Sequence, residues 1–187
     1  KAATYVFVDG KLVTKPKGRA LAGVTVESLA SEISANPALM SMDLPETVDA
    51  GARSVIALNT ALASDGAVVT ISAGATPDRP IHLVFIASGN AAVRNVIVAG
   101  ADAEATVIET HVAPEGAARQ ENMVSDITLA RGATLNHATR TEVNDGSIAL
   151  GQHLAHVCAG ARYKPFQMTS GNGLARLQLT LTFAGQH

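Results

Sequence analysis

Residues 74–101 read GATPDRPIHLVFIASGNAAVRNVIVAGA, and this stretch contains two runs rich in Val and Ile, each followed by a glycine. Such runs, bounded by Gly, Asn and Asp, are typical of β-strands. The pattern continues further along the chain, where each run is followed by a glycine and successive glycines are separated by short, similar numbers of residues. These glycines are Gly74, Gly89, Gly100, Gly116, Gly132, Gly146, Gly160, Gly173 and Gly185. The spacing indicates short strands alternating with turns.

Four of these glycines begin a Gly-Ala pair and mark a longer repeat. They are Gly74, Gly100, Gly132 and Gly160, at similar but unequal intervals. A period of roughly 20 to 50 residues is the signature of a stacked-repeat architecture. We therefore predict a mainly β fold, a β-solenoid in which these four residues are structural turn glycines and each repeat forms one coil.

The last segment has the clearest strand pattern. Leu177, Leu179, Leu181 and Phe183 alternate with polar residues, which predicts one buried and one exposed face. Residues 54–187 are thus predicted to form the solenoid core, with a helix over residues 54–63 at its start. A solenoid needs a cap over its last coil, and the sequence predicts none here.

The first part of the chain, residues 1–53, is predicted to be a small α/β segment. Tyr5–Val8 and Leu12–Val13 flank Asp9-Gly10, which indicates a hairpin. A further strand is predicted over residues 21–26, followed by a short helix with Thr25 as its N-cap that ends before Asn36-Pro37. Residues 40–50 are predicted to be a loop.

Composition excludes several classes of protein. The chain has 187 residues, 47% of them hydrophobic and 16% charged, which suits one folded domain. A net charge of −2, no basic patch, no Trp and 3% aromatic residues argue against nucleic-acid binding. The single cysteine, Cys158, suits a reducing compartment. No apolar run is long enough to span a membrane, so we expect a cytoplasmic protein without membrane contact.

His153, His156 and Cys158 form the most notable candidate cluster in the sequence. In an extended strand His156 and Cys158 share one face, whereas His153 points to the other. Imidazole and thiolate on one face are candidates for holding a soft metal or accepting sulfur. The competing interpretation is structural, because a buried cysteine often acts as a small hydrophobic residue.

The remaining candidates favour a structural interpretation. His82, His111 and His137 are scattered singly, and we predict satisfied or surface side chains. Asp102, Glu104 and Glu109 could act as paired acids in a β-helix enzyme that acts on carbohydrate, but the aromatic residues that line such grooves are missing. We therefore predict a solvated acidic face. With no catalytic motif and no firmly bound metal or cofactor indicated, a scaffold is favoured over an enzyme.

The order of several motifs resembles the SufB/SufD family of iron–sulfur cluster assembly scaffolds. The motifs are Leu58-Asn-Thr-Ala-Leu-Ala-Ser-Asp-Gly66, Pro80-Ile-His-Leu83, Ala103-Glu-Ala-Thr-Val-Ile-Glu109 and Gly173-Leu-Ala-Arg176, with a weaker match at Phe7-Val-Asp-Gly10. The chain is most similar to the SufD branch. The resemblance implies a right-handed parallel β-helix and a non-catalytic subunit working with a SufB-like subunit and a SufC-like ATPase. An iron–sulfur cluster or sulfur would be handled transiently by the complex.

The resemblance also implies that the β-helix of the family continues beyond residue 187. The SufB–SufD pairing edge, a histidine linked to cluster assembly and the SufC-binding helices have no counterpart in residues 1–187. The core over 54–187 is therefore interpreted as truncated before its C-terminal end, with an open edge covered by a partner or by a second copy in a homodimer. The stretch at Cys158 resembles a part of SufB in which a cysteine is implicated in sulfur transfer.

Overall fold

The computed structural model describes residues 1–40, 44–46, 48–114 and 116–185. Its strands are β1 (Ala3–Val8), β2 (Lys11–Thr14), β3 (Val24–Ser28), β4 (Ala67–Ile71), β5 (Ile81–Ile86), β6 (Asn90–Ala99), β7 (Glu104–Val112), β8 (Gln120–Leu129), β9 (Thr134–Val143), β10 (Ile148–Cys158), β11 (Arg162–Gly171) and β12 (Leu174–Ala184). The helices are α1 (Leu29–Ile33), a 3-10 turn (Pro37–Met40) and α2 (Ala50–Leu62).

The strands form two six-stranded sheets that are wound by one continuous chain. One sheet has the order β11-β9-β7-β5-β1-β2 and the other β12-β10-β8-β6-β4-β3. From β4 onward each strand pairs in parallel with the strand two further along, as Asn90 pairs with Gln120 and Ile148 with Leu174. Such paired residues occupy equivalent positions in successive coils. The predicted parallel β-solenoid is confirmed, with about four turns.

The core lies between the two sheets, because alternate residues of each strand point inward. In β5 the inward residues Ile81, Leu83 and Phe85 are buried, whereas their neighbours are half-exposed. The rings of Phe7 and Phe85 stack at 4.8 Å between centroids in adjacent coils. The inward face of each coil is thus covered by its neighbours, and the exclusion of this apolar surface from water stabilises the stack.

One corner of the solenoid is a repeated four-residue turn. The turns span residues 72–75, 100–103, 130–133 and 158–161, and in each the N–H of the last residue donates to the carbonyl of the first. The third residue of every turn has a positive φ of 56° to 73°. These third residues are Gly74, Asp102, Gly132 and Gly160, and they recur at a nearly even spacing.

Gly100 differs from the other three predicted turn glycines. It is the first residue of its turn, and Asp102 takes the left-handed position, which aspartate tolerates better than most side chains. Gly100 is required for another reason, because a Cβ there would lie 2.5 Å from the backbone nitrogen of Ala73 in the adjacent coil. The Gly-Ala pairs are therefore unevenly spaced in the sequence, although the turns themselves recur evenly.

The N-terminal hairpin is confirmed, but the predicted helix cap is wrong. β1 and β2 pair antiparallel around Asp9 and Gly10, both of which have positive φ. Thr25, the predicted N-cap, lies inside β3, and α1 begins only at Leu29. The β-branched Thr25 and its neighbours pair antiparallel with β4, and this tertiary pairing extends the strand through Ser28.

Asp65 caps the start of α1, although it lies far from that helix in the sequence. Its carboxylate accepts hydrogen bonds from the backbone N–H of Ala30 at 3.0 Å and from the hydroxyl of Ser28 at 2.7 Å. The same carboxylate accepts from the N–H of Gly66 at 2.8 Å. The Asp-Gly pair that ends the first motif therefore ties α1 to the entry of the first strand of the solenoid core.

The helix predicted over residues 54–63 is confirmed and begins four residues earlier, as α2. The carboxylate of Asp49 caps it by accepting from the N–H of Ala52 at 2.9 Å. The side-chain amide of Asn59 is buried and donates to the carbonyls of Val93 and Asn122, which docks α2 on the outside of β6 and β8.

The N-terminal segment is continuous with the solenoid. Residues 53 and 54 both lie inside α2, and β1 and β3 add strands to the two sheets that the core forms. The loop predicted over 40–50 includes residues 41–43 and 47, which lie outside the described residues. No helix within the described part of the chain is both long enough and apolar enough to cross a bilayer.

The predicted strand at the end of the chain is present as β12, but its predicted buried face is not. Leu181 and Phe183 are 40% and 60% exposed. β12 is the last strand of its sheet among the described residues, so its inward side chains are covered from one side only.

Candidate functional site

The most unusual part of the core is a cluster of buried charged and polar side chains in the interior of the later coils. It is built by the same alternation that buries the apolar core, because residues of odd number point inward in both β7 and β9. The buried members are Glu109, His111, Arg119, Glu121, Ser125, His137, Thr139 and His153. We call this set the lumen cluster.

His111 lies between two carboxylates. Its Nδ1 is 2.9 Å from Oε1 of Glu121, and its Nε2 is 3.3 Å from Oε2 of Glu109. Burial alone would lower the pKa of His111, but the charges of Glu121 and Glu109 outweigh it and raise the pKa to about 9. At neutral pH the ring is therefore an imidazolium that donates from both nitrogens.

Both carboxylates remain ionised for the reciprocal reason. Burial by itself would raise the pKa of Glu109, but the facing imidazoles of His137 and His111 hold it well below its usual range. Burial also opposes ionisation of Glu121, and His111 and Arg119 lower its pKa. Arg119 completes the row of alternating charges, with Nη2 at 3.1 Å from Oε2 of Glu121.

His137 connects Glu109 to the next coil. Its Nε2 is 3.2 Å from Oε1 of Glu109, a distance for an ion pair although the two atoms are not aligned for a hydrogen bond. Its Nδ1 is 2.8 Å from the hydroxyl of Tyr163. Burial, together with the charge of Glu109, raises the pKa of Tyr163, so the hydroxyl keeps its proton.

His153 enters the same space from the opposite sheet and lacks a polar partner. Its ring stacks on that of His137, with 4.8 Å between centroids and 22° between planes. The residue is 1% exposed, and neither ring nitrogen has a hydrogen-bond partner among the described residues. Burial lowers the pKa of His153 to about 4 against the opposing charge of Glu109, so the ring is neutral.

Together these residues can hold a proton or a cation. One ligand atom each from Glu109, His137 and His153 lie within 4.8 Å of one another. The hydroxyl of Ser125 adds a contact of 3.2 Å to Oε1 of Glu109. The lumen cluster contains no thiol among the described residues, because the only cysteine is elsewhere.

The structure separates the predicted sulfur or metal candidates from this cluster. His156 is exposed on the outer face of β10, and Cys158 is half-buried at the end of that strand, where a corner turn begins. Both lie on the face opposite to His153, as the alternation predicts. A metal or sulfur role of Cys158 and His156 stays a prediction.

The scattered histidines have the polar partners that were predicted: His111 and His137 have theirs within the lumen cluster, and His82 is half-buried and 2.9 Å from the hydroxyl of Thr110. The interpretation as single, separate residues is wrong for His111 and His137, and the interpretation of the acids also needs correction. Glu109 is fully buried, so the prediction of a solvated acidic face is wrong for it.

Asp102 and Glu104 are exposed at a corner and at the edge of β7, and the three acids share no face. One signal in the sequence could have revealed Glu109 and His111. Both are an even number of residues from the apolar Val107, so in a β-strand they point to the same buried face.

Comparison with known families covers almost the whole chain. Residues 85–187 match the family model described as SUF system FeS cluster assembly, SufBD core domain. Residues 1–83 match the model of the SufBD protein N-terminal region. No curated protein matches the chain.

Proposed function

Because the chain belongs to the SufBD family of the SUF iron–sulfur cluster assembly system, we propose that it is a SufD-like scaffold subunit that supports cluster assembly without turnover of its own. Involvement in iron–sulfur cluster assembly follows from the family. The SufD-like role, the partners and the place of action are the proposed part.

The observation that supports a role in cluster assembly is the match of both family models, N-terminal region and then core domain, along one solenoid. The SufD-like part of the proposal rests on the resemblance of the motifs Leu58–Gly66 and Gly173–Arg176. The first model covers the hairpin, the helices and the first solenoid strands, and the second covers the later coils. The lumen cluster is consistent with a subunit without turnover, since its acids and histidines are 0 to 3% exposed and cannot meet a substrate at the surface.

The proposed partners are a SufB-like subunit and a SufC-like ATPase in the cytoplasm. ATP hydrolysis is assigned to the ATPase, and an iron–sulfur cluster or sulfur is handled transiently by the complex. A second copy of the chain, forming a homodimer, is the alternative to the SufB-like partner.

The test is affinity purification of the tagged protein from its native cells, with its partners identified by mass spectrometry. Recovery of a SufB-like subunit together with a SufC-like ATPase is the expected result. Light scattering of the purified protein separates the homodimer from the heteromeric assembly. A protein that runs alone and does not increase cluster formation when added to SufB-like and SufC-like subunits would refute the proposal.

A sulfur-handling role of Cys158 is a separate part of the proposal. Its half-buried position at a corner turn keeps the thiol near the surface. Replacing Cys158 by Ser should slow cluster assembly by the complex if the thiol carries sulfur, and unchanged assembly would assign the residue a packing role.

A carbohydrate-directed β-helix enzyme is not favoured by any observation. That alternative needs carboxylates lining an open groove, and Glu109 points into the closed interior while Asp102 and Glu104 point to solvent.

A further inference from the structure

We propose that Glu109, His137 and His153 form a binding site for one divalent first-row transition metal ion inside the solenoid. The site is independent of the SufD-like role, because it rests only on the arrangement of side chains in the lumen cluster.

The geometry of the three ligands is close to that of a metal site. Their ligand atoms lie within 4.8 Å of one another. Histidine nitrogens and carboxylate oxygens bind zinc at about 2.0 to 2.2 Å, so two ligands of one ion are about 3.3 to 3.6 Å apart in a tetrahedral site and at most about 4.4 Å apart in any geometry. Closing the remaining gap takes a small movement of each side chain and a tilt of the stacked rings of His137 and His153.

The environment of His153 is the observation that indicates a bound ligand. A fully buried imidazole normally uses at least one nitrogen in a hydrogen bond, and a buried polar group without one needs an explanation, such as a bound ion. Both nitrogens of His153 lack a hydrogen-bond partner in the described chain, and the ring lies against His137 beside Glu109. Binding of a metal would occupy one of these nitrogens.

The surroundings of the ligands match those of known metal sites. Ligating histidines usually engage their second nitrogen with a neighbouring polar group, which fixes the ring. His137 has such a group in Tyr163, since Nδ1 is 2.8 Å from the hydroxyl and leaves Nε2 to face Glu109. Ser125 similarly contacts the carboxylate of Glu109 at 3.2 Å.

Donor type defines the class of ion. The ligands His137 and His153 must be neutral to bind a metal, and the carboxylate of Glu109 is the one charged ligand. Glu121 is paired with His111 and Arg119 and is not a ligand. Two histidines and one carboxylate with open positions suit Zn²⁺ or Fe²⁺, whereas Ca²⁺ and Mg²⁺ prefer sites made of oxygen atoms.

The test measures zinc bound to the whole protein after removal of metal by a chelator. Zn²⁺ is offered both to the folded protein and during refolding, because the ligands are buried. After desalting, mass spectrometry of the metal should find about one ion per chain. Titration with Co²⁺ should give a spectrum of nitrogen and oxygen coordination, without the near-ultraviolet band of a cobalt–thiolate bond.

Matched variants locate the site. His153→Leu is expected to fold, since it replaces unpaired nitrogens by an apolar side chain, and it should weaken zinc binding by at least about tenfold. Tyr163→Phe keeps all three ligands and should weaken binding by about 10- to 100-fold. His156→Leu, on the outer face of the same strand as His153, and Cys158→Ser should bind zinc like the wild type.

Two results would overturn the proposal. One is a failure of the wild-type protein to retain zinc by either loading route. The other is retention of zinc by a folded His153→Leu variant, or its loss in Cys158→Ser, which would move the site to the outer face. Circular dichroism of each variant establishes that it is folded before binding is compared.

Discussion

Replacing His111 by Phe tests whether the buried charge row stabilises the fold. The His111 ring stacks on Phe85 with 4.8 Å between centroids and 13° between planes. Phenylalanine therefore fits the shape of the site and extends the aromatic stack. It removes the imidazolium, however, and leaves the carboxylates of Glu109 and Glu121 buried without the cation between them.

The expected loss of stability can be worked out in two ways. A rise of the His111 pKa from 6.5 to about 9 is equivalent to about 3 kcal/mol of favourable interaction with the protonated ring. Removing one partner of a buried ion pair costs about 3 to 5 kcal/mol in other proteins. We expect the free energy of unfolding to fall by about 3 kcal/mol and the Tm by about 10 °C.

The pH dependence gives the same test a second readout. The folded-state pKa of His111 is above the unfolded value, so its contribution is fully present below pH 6.5 and is lost as pH rises through about 9. Urea unfolding followed by circular dichroism should show this decline in the wild type between pH 6.5 and 9. His111→Phe should lack it.

His82→Phe is the matched control, because His82 is half-buried and, among the described residues, its side-chain hydrogen-bond contact is with the hydroxyl of Thr110. Its effect should stay within about 1 kcal/mol. The reasoning is refuted if His111→Phe is as stable as the wild type at neutral pH, or if the alkaline decline persists in the variant.

Three further substitutions address other parts of the molecule. Gly100→Ala should lower the free energy of unfolding in urea by about 2 kcal/mol or more, because the new Cβ would lie 2.5 Å from the backbone nitrogen of Ala73. An unchanged urea midpoint would contradict that close approach. Asn59→Ala should cost about 2 to 3 kcal/mol in thermal unfolding, since it leaves two backbone carbonyls without the buried amide; a smaller loss would mean that α2 docks mainly by apolar contact. His153→Leu should resist unfolding by acid better than the wild type. The pKa of His153 in the folded state is lowered to about 4, so its contribution to the stability of the fold is present above pH 6.5 and is lost as pH falls toward 4. Equal acid sensitivity of the two metal-free proteins would argue against a buried neutral ring.

The solenoid could be predicted because strand and turn signals are local. Short Val-rich runs between glycines specify strands without knowledge of their neighbours, and their period specifies the coil. The position of Gly100 within its turn could not be predicted, because a Gly-Ala pair does not reveal whether glycine is needed for positive φ or for close approach of the next coil. Asp102, which takes the left-handed position, carries no comparably strong local signal.

The lumen cluster depends on which residues the coils bring together. Glu109 and His137 are distant in sequence and lie in adjacent strands of one sheet, and His153 comes from the opposite sheet. Whether they meet is decided by the register of parallel strands, and a shift of one residue would turn each of them outward. That His153 points to the face opposite to His156 and Cys158 was predictable from the alternation within its own strand. Which residues surround it on that face was not predictable.

The stacking of Phe7, Phe85 and His111 bears on how the chain can be divided. The two family matches meet at residue 84, and this boundary lies inside β5, between Leu83 and Phe85. A fragment beginning at residue 85 would start partway along a strand and strip Phe7 from the ring that supports His111. The two matched regions are therefore packed together along one solenoid, and a cut at this boundary would remove part of the aromatic stack that supports the buried His111.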